Sequence, residues 1–423
     1  PAHPSAQGPG APPAPGAPQR PAAQTPPPAP QAPTAQSPAP APQRPTAQQP
    51  GAAPPAAMQR QGSPAPHPTA QQPTGAPPAA GAQPPHPTAQ QSPPAPAGAA
   101  APVREIARDR QEALQQRQRA EEWRSRRVQD LQSQRQQVQE GNRTIIREPD
   151  RTIIREDGRT IIRHDEVTRF GLNARDIQVQ QRGRDTVTVV ERPGGVRIIT
   201  VVDDHGRLLR RSRRGPDGRE VVIIDNPVRA SGGPHAYFVD LPPPVIRIPR
   251  ERYIVETEHA DEAAIYAALT APPVDRLERR YTLEEVRFSP MLRDRMPRVD
   301  IDTVTFDSGS WAVTPDQAAR LAGIAEAIRR AVERNPQEVF LIEGHTDAVG
   351  SDIDNLSLSD RRAESVAMVL SDQFGVPPEN LTTQGYGEQY LKVPTDGPER
   401  RNRRVTVRRI TPLLAGGNGE GPG

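Results

Sequence analysis

Asp347 and Arg362 lie within one segment, LIEGHTDAVGSDIDNLSLSDRRAESVAMVL, residues 341–370. The apolar run before Asp347 reads as a buried strand, and a polar, glycine-containing loop follows it. Arg362 then falls in the first turns of an amphipathic helix. A strand–loop–helix return brings both side chains over one crevice. A fixed anion and a fixed cation a few ångströms apart suit a zwitterion, with its ammonium on Asp347 and its carboxylate on Arg362. A guanidinium grips a carboxylate with two parallel hydrogen bonds, and a helix N-terminus adds partial positive charge. Asn355 and Thr346 offer neutral hydrogen bonds from the loop. The same spacing also fits an Asp347–Arg362 salt bridge that closes the loop, and the residues alone leave both readings open. His345 suggests a hydrolase, but a structural histidine at a strand end explains it as well. No motif places a serine or cysteine nucleophile beside it, and no HExxH pair of metal ligands occurs.

These residues need a scaffold, and residues 299–412 read as an α+β domain, a mixed sheet with helices packed on it. A first strand is expected at 304–306. Thr314-Pro315-Asp316-Gln317 opens a helix, with Thr as cap and Pro in the first turn. Leu321, Ile324, Ile328 and Val332 share a face of that helix, and Asn335-Pro336 ends it. Strands are expected at 338–342, 381–384 and 404–410. Ala363, Val366, Leu370 and Phe374 form the apolar face of the helix that carries Arg362. Gly375 stands where a helix-ending glycine belongs.

The run Asn355-xx-Leu358-Ser359-xx-Arg362-Ala363-xx-Val366-xxx-Leu370 follows Gly344-His345-Thr346-Asp347-xx-Gly350. Phe306-Asp307, Gly385-Tyr386-Gly387-Glu388 and Asn402-Arg403-Arg404-Val405 complete an ordered set. The set resembles the peptidoglycan-binding signature of the OmpA-like C-terminal domain, and the whole chain is similar to α-proteobacterial OmpA-family envelope proteins. The resemblance implies non-covalent binding, without catalysis, of the stem peptide of Gram-negative peptidoglycan. The ligand group is meso-diaminopimelate, whose side-chain end bears an amine and a carboxylate. It assigns ligand contacts to Asp347, Arg362 and Asn355, with Arg404 as a further contact. It also implies a periplasmic, outer-membrane-associated location, an envelope protein as further partner, and no cofactor or metal.

The rest of the chain looks like reach and attachment. Among 423 residues there are 54 prolines, 34% hydrophobic and 3% aromatic residues, and no cysteine. Much of the chain therefore cannot bury a core, and no thiol chemistry is available. The net charge of only +3, with arginine and acid interspersed, argues against a nucleic-acid partner. No apolar run is long enough for a membrane-spanning helix. The chain opens on Pro1, from which a removed signal peptide or anchor is expected.

Residues 1–101 read as a disordered Pro/Ala/Gln-rich arm, either a polyproline II spacer or an unselected tail. Residues 102–141 read as a solvated polar helix, with a weak coiled coil as the alternative. Residues 142–230 contain the repeat RTIIRE-PD, RTIIRE-DG, RTIIRH-D and read as a β-meander of about six or seven strands. The arginines flanking each Ile pair are solvated strand ends or a polyanion-binding face. Residues 231–298 read as a connector with short helices, including a capping box at Thr282–Glu285. Residues 413–423 read as a flexible tail.

Overall fold

A computed structural model describes residues 114–115, 118–226 and 237–415. The arm expected over 1–101 lies outside the described residues, as does the chain beyond 415. Helices α1 (118–125) and α2 (Val128–Gln132) replace the single solvated helix. Residues Gln136–Glu140 are strand β1, not helix, paired antiparallel with β2 (Arg143–Glu148). The helical segment is also docked rather than solvated. Ala120, Val128 and Leu131 are buried against Trp311, Leu358 and Met368. Its apolar residues are too sparse for a heptad seam, yet they suffice for one docking face.

The three repeats are β2, β3 (Arg151–Glu156) and β4 (Arg159–His164), with β1 on the outside. Their register sets Ile153 opposite both Ile146 and Ile162. The Asp157-Gly158 turn places both residues at positive φ, 48° and 74°, as a two-residue hairpin of this hand requires. Helix α3 (Val167–Gly171) then interrupts the meander. A separate five-stranded sheet follows: β5 (Asp176–Arg182), β6 (Asp185–Glu191), β7 (Arg197–Val202), β8 (Leu208–Arg214) and β9 (Glu220–Asp225). The meander divides because Phe170 turns into the core of the second sheet, with Val190 and Ile198. Beside it Arg169 turns the other way, to Glu364.

The remaining elements are α4 (Arg250–Tyr253), β10 (Ile254–Glu256), α5 (Glu262–Thr270), α6 (Leu283–Phe288), α7 (Pro290–Arg293), β11 (Arg298–Ile301), α8 (Pro315–Ala319), α9 (Ala322–Arg334), β12 (Phe340–Gly344), α10 (Asp352–Asp372), β13 (Leu381–Gly385), β14 (Val405–Arg409) and α11 (Thr411–Ala415). The five strands order as β10-β11-β14-β12-β13. Pairs β10–β11 and β12–β13 are parallel, and β14 lies antiparallel between β11 and β12. Phe340, Ile342, Val405 and Val407 face α5, α9 and α10. Val339, Leu341 and Ile410 face the opposite way, onto Leu283, Val286, Leu413 and the β-sheet residues Leu208, Ile223 and Ile224. Both faces are covered, which is why 339–342 reads as unbroken apolar sequence.

Three expectations change here. Residues 304–306 are not a strand. Strand β11 lies before them, where Val299 and Ile301 enter the core and Thr406 donates to Asp300. Residues assigned to the connector build the domain: β10 pairs with β11, and Val255, Ile265 and Leu269 belong to its core. The chain from 413 begins as part of α11, with Leu413 buried. The capping box does form, with Thr282 N–H donating to Glu285 Oε2 at 2.8 Å and Glu285 N–H to Thr282 Oγ1 at 3.2 Å.

Helix α10 is buried from Asn355 to Ser371. One side packs on β12 and β13 through the paired glycines Gly344 and Gly385. A Cβ on Gly344 would stand 1.9 Å from the Ser359 carbonyl oxygen, and one on Gly385 would stand 2.4 Å from Asp360 N. Only glycine allows the helix this close to the strand ends. The other side meets the repeat sheet, where Ile146, Ile153 and Ile162 pack on Leu356.

Candidate ligand-binding site

Strand β12 ends at Gly344, and the next residues are pinned by backbone bonds. His345 N–H donates to the Arg404 carbonyl at 3.0 Å and Thr346 N–H to the Gly387 carbonyl at 2.9 Å. Asp347 follows, 7% exposed. Gly350 turns the chain at φ 108°, and Ser351 caps α10, its hydroxyl accepting from Asp354 N–H. Asn355 is held in the first turn of α10 by donating to Glu388 Oε2 at 2.7 Å.

Asp347 and Arg362 do not pair with each other. Asp347 accepts from Arg403 Nη1 and from Glu399 N–H. Arg362 donates from Nε to the Ser310 carbonyl at 3.0 Å and from Nη2 to the Asp307 carbonyl at 3.2 Å. Its guanidinium also lies 4.9 Å from the Phe306 ring centroid. Among the described residues no carboxylate forms an ion pair with it. Burial, and then the charge of Arg403, pull Arg362 down to about 10, against the opposing pull of Asp347. The group remains a cation at neutral pH, buried and without a counter-charge in direct contact. Such a charge is costly to bury and is compensated well by an incoming carboxylate.

Thr346 is buried beside Asp347, and its hydroxyl has no hydrogen-bond partner. His345 stacks on Tyr386 at 5.6 Å. Burial and the charge of Arg404 pull it down to about 3, so it is neutral. Arg404 does not join Asp347 and Arg362; it donates to the carbonyls of Asn402 at 3.4 Å and Tyr390 at 3.1 Å. Its neighbour Arg403 is the residue on Asp347, and sequence reasoning missed it. Arg403 stands on the bend before β14 and Arg404 at the edge of that strand, and no pattern in the sequence says which of the two adjacent arginines reaches Asp347.

A second charged cluster lies on the same helix. Arg361 donates to Glu148 at 2.8 Å and to Asp150. Asp360 accepts from Arg151 at 2.7 Å and from Gly385 N–H at 2.8 Å, and lies 2.9 Å from His164 Nδ1. Glu364 accepts from Arg169 at 3.0 Å and from the Thr383 hydroxyl at 2.9 Å. Ligand atoms of His164, Glu166 and Glu364 lie within 4.8 Å of one another. Arginines already occupy both carboxylates, which is the charge environment of a structural network rather than of a metal ion.

The family model described as OmpA family matches residues 305–404. YfiB of Escherichia coli K12 is 30% identical over 113 residues, 26% of this chain and 68% of that protein. Outer membrane porin F of Pseudomonas aeruginosa is 36% identical over 110 residues, 26% of this chain but only 30% of its own length. Among solved structures, the peptidoglycan-associated lipoprotein from Burkholderia pseudomallei shows 29% identity over 25% of this chain and 87% of its own, with a TM-score of 0.22. No helix among the described residues is long and apolar enough to cross a membrane. The match to YfiB extends over two thirds of that protein, the family model spans the strands and helix that carry Asp347 and Arg362, and by these the chain belongs to the OmpA family.

Proposed function

We propose that the C-terminal domain binds the diaminopimelate side chain of the peptidoglycan stem peptide non-covalently and so anchors the protein to the cell wall from the periplasm. The observation that carries this reading is Arg362, a buried cation whose protein partners are two backbone carbonyls. Asp347 supplies the anion for the ligand's ammonium. Arg403 occupies Asp347 in the ligand-free chain, but its side chain is 39% exposed, so displacing it costs about 1 kcal/mol or less. The unpartnered Thr346 hydroxyl supplies a neutral hydrogen bond. Asn355 positions the loop through Glu388, and the Arg404 carbonyl holds His345 N–H at the head of the loop. The binding domain proposed around this site takes in β10 and α5 from the connector as well as residues 299–412, with the arm proposed at 1–101.

Co-sedimentation with purified sacculi tests the reading. Wild type is expected in the pellet, and Asp347→Ala and Arg362→Ala in the supernatant. Unchanged sedimentation of both variants overturns the clamp. Catalytic release of muropeptides during the incubation overturns a pure binding role.

A further inference from the structure

Resting on the clamp reading, we infer that residues 123–135, outside the family-matched segment, position Arg362 for its ligand by clasping the loop that holds it. The loop at 307–310 has two sides. On one, the Asp307 and Ser310 carbonyls take the Arg362 guanidinium. On the other, the Gly309 carbonyl accepts from Val128 N–H at 3.0 Å, and the Ser308 carbonyl accepts from Arg127 Nη1 at 3.1 Å. Arg127 and Ser310 also form an isolated antiparallel bridge. Just past the loop, Trp311 Nε1 donates to the Trp123 carbonyl at 2.9 Å, and the two indole rings lie 5.7 Å apart. Gly309, at φ 66°, lies under Gln129, whose Oε1 would be 2.8 Å from an added Cβ.

The same segment also reaches the start of α10. Gln132 Nε2 donates to Asp354 Oδ2 at 2.9 Å, and Arg135 pairs with Asp354 at 2.6 Å. Asp354 belongs to the first turn of α10 and also accepts from the capping Ser351. One stretch of chain thus ties down both the carbonyl loop and the start of the helix.

This matters because Arg362 spends Nε and Nη2 on the loop, so the two carbonyls set the plane in which Nη1 is offered to a ligand. Residues 304–309 have no regular secondary structure to fix them. Clasping them in advance removes an ordering cost from binding. By reciprocity, a ligand on Arg362 must favour docking of the segment as much as docking favours the ligand.

The test uses the full chain, titrated calorimetrically with a stem tripeptide ending in meso-diaminopimelate, with amide hydrogen exchange across 307–311 as second readout. Arg127 is exposed, so Arg127→Ala should keep the wild-type thermal transition. It should bind about five- to tenfold more weakly, the worth of one hydrogen bond to a loop, with faster exchange in the free loop. Trp123→Ala is expected to do the same to a larger extent. Wild-type affinity and exchange in both variants overturn the inference while leaving the clamp intact. A wild-type chain that binds no tripeptide overturns the clamp, and the inference with it.

Discussion

Arg361 and Arg362 are neighbours on one helix, and both are nearly inaccessible, at 1% and 3%. Their surroundings differ completely. Arg361 points at the repeat sheet, where Glu148 and Asp150 neutralise it. Arg362 points at the 307–310 loop, where it meets two carbonyl oxygens and the Phe306 ring but no carboxylate. One side of α10 is a closed ionic joint, and the other holds charge in reserve. Both arginines are buried charges, so burial and charge alone do not mark the proposed binding site. What marks it is the missing counter-charge.

The sharpest way to break this comparison is to remove one charge from each side. Asp360→Ala leaves Arg151 and His164 without their shared anion inside the joint, and should cost about 3–5 kcal/mol of stability in denaturant unfolding. Arg362→Ala should cost only about 1–2 kcal/mol, the loss of hydrogen bonds to two carbonyls, while abolishing sacculus binding. Equal destabilisation by the two would erase the distinction.

The joint should also titrate. Burial pushes His164 down, but the charge and hydrogen bond of Asp360 outweigh it, raising the imidazole from 6.5 to about 9. A raised pKa contributes stability that is complete below 6.5 and is lost as pH climbs through 9. Wild type should therefore lose about 3 kcal/mol over that window, and His164→Gln should show a flat profile there. A wild-type profile equally flat would remove His164 from the joint as a cation. The smallest expected effect is on the crevice side. Arg403→Ala frees Asp347 from its exposed partner and should tighten tripeptide binding about two- to fivefold. Weaker binding would instead put Arg403 on the ligand's carboxylate.

Much of the site was legible because its determinants are local. Gly344, Asp347, Gly350, Asn355 and Arg362 lie on one strand–loop–helix unit, and capping at Thr282 or a helix end at Gly375 is settled within a few residues. The joint was not legible. Arg151 meets Asp360 and Arg169 meets Glu364 across about half the chain, and nothing in the RTII repeat says which of its arginines will be buried. Solvation of the strand ends was the natural expectation for that composition, and it fails at Arg151 because α10 presents a carboxylate there. The docked helical segment escaped for the same reason. Trp123, Val128 and Leu131 make no periodic pattern until Trp311 and Leu358 supply the opposite face.

The order of strands in the C-terminal sheet bears on how the chain comes to be folded. Of the five strands of this sheet β14 is the last to be synthesised, yet it lies in the middle, between β11 and β12. Until residues 405–409 have emerged, the two halves of the sheet have no common neighbour, and the hydrophobic faces of α5, α9 and α10 have no complete surface to cover. Pairings this distant in sequence close slowly. The C-terminal sheet therefore cannot close until that strand is available, and a truncation that removes it would leave two half-sheets rather than a slightly weaker protein.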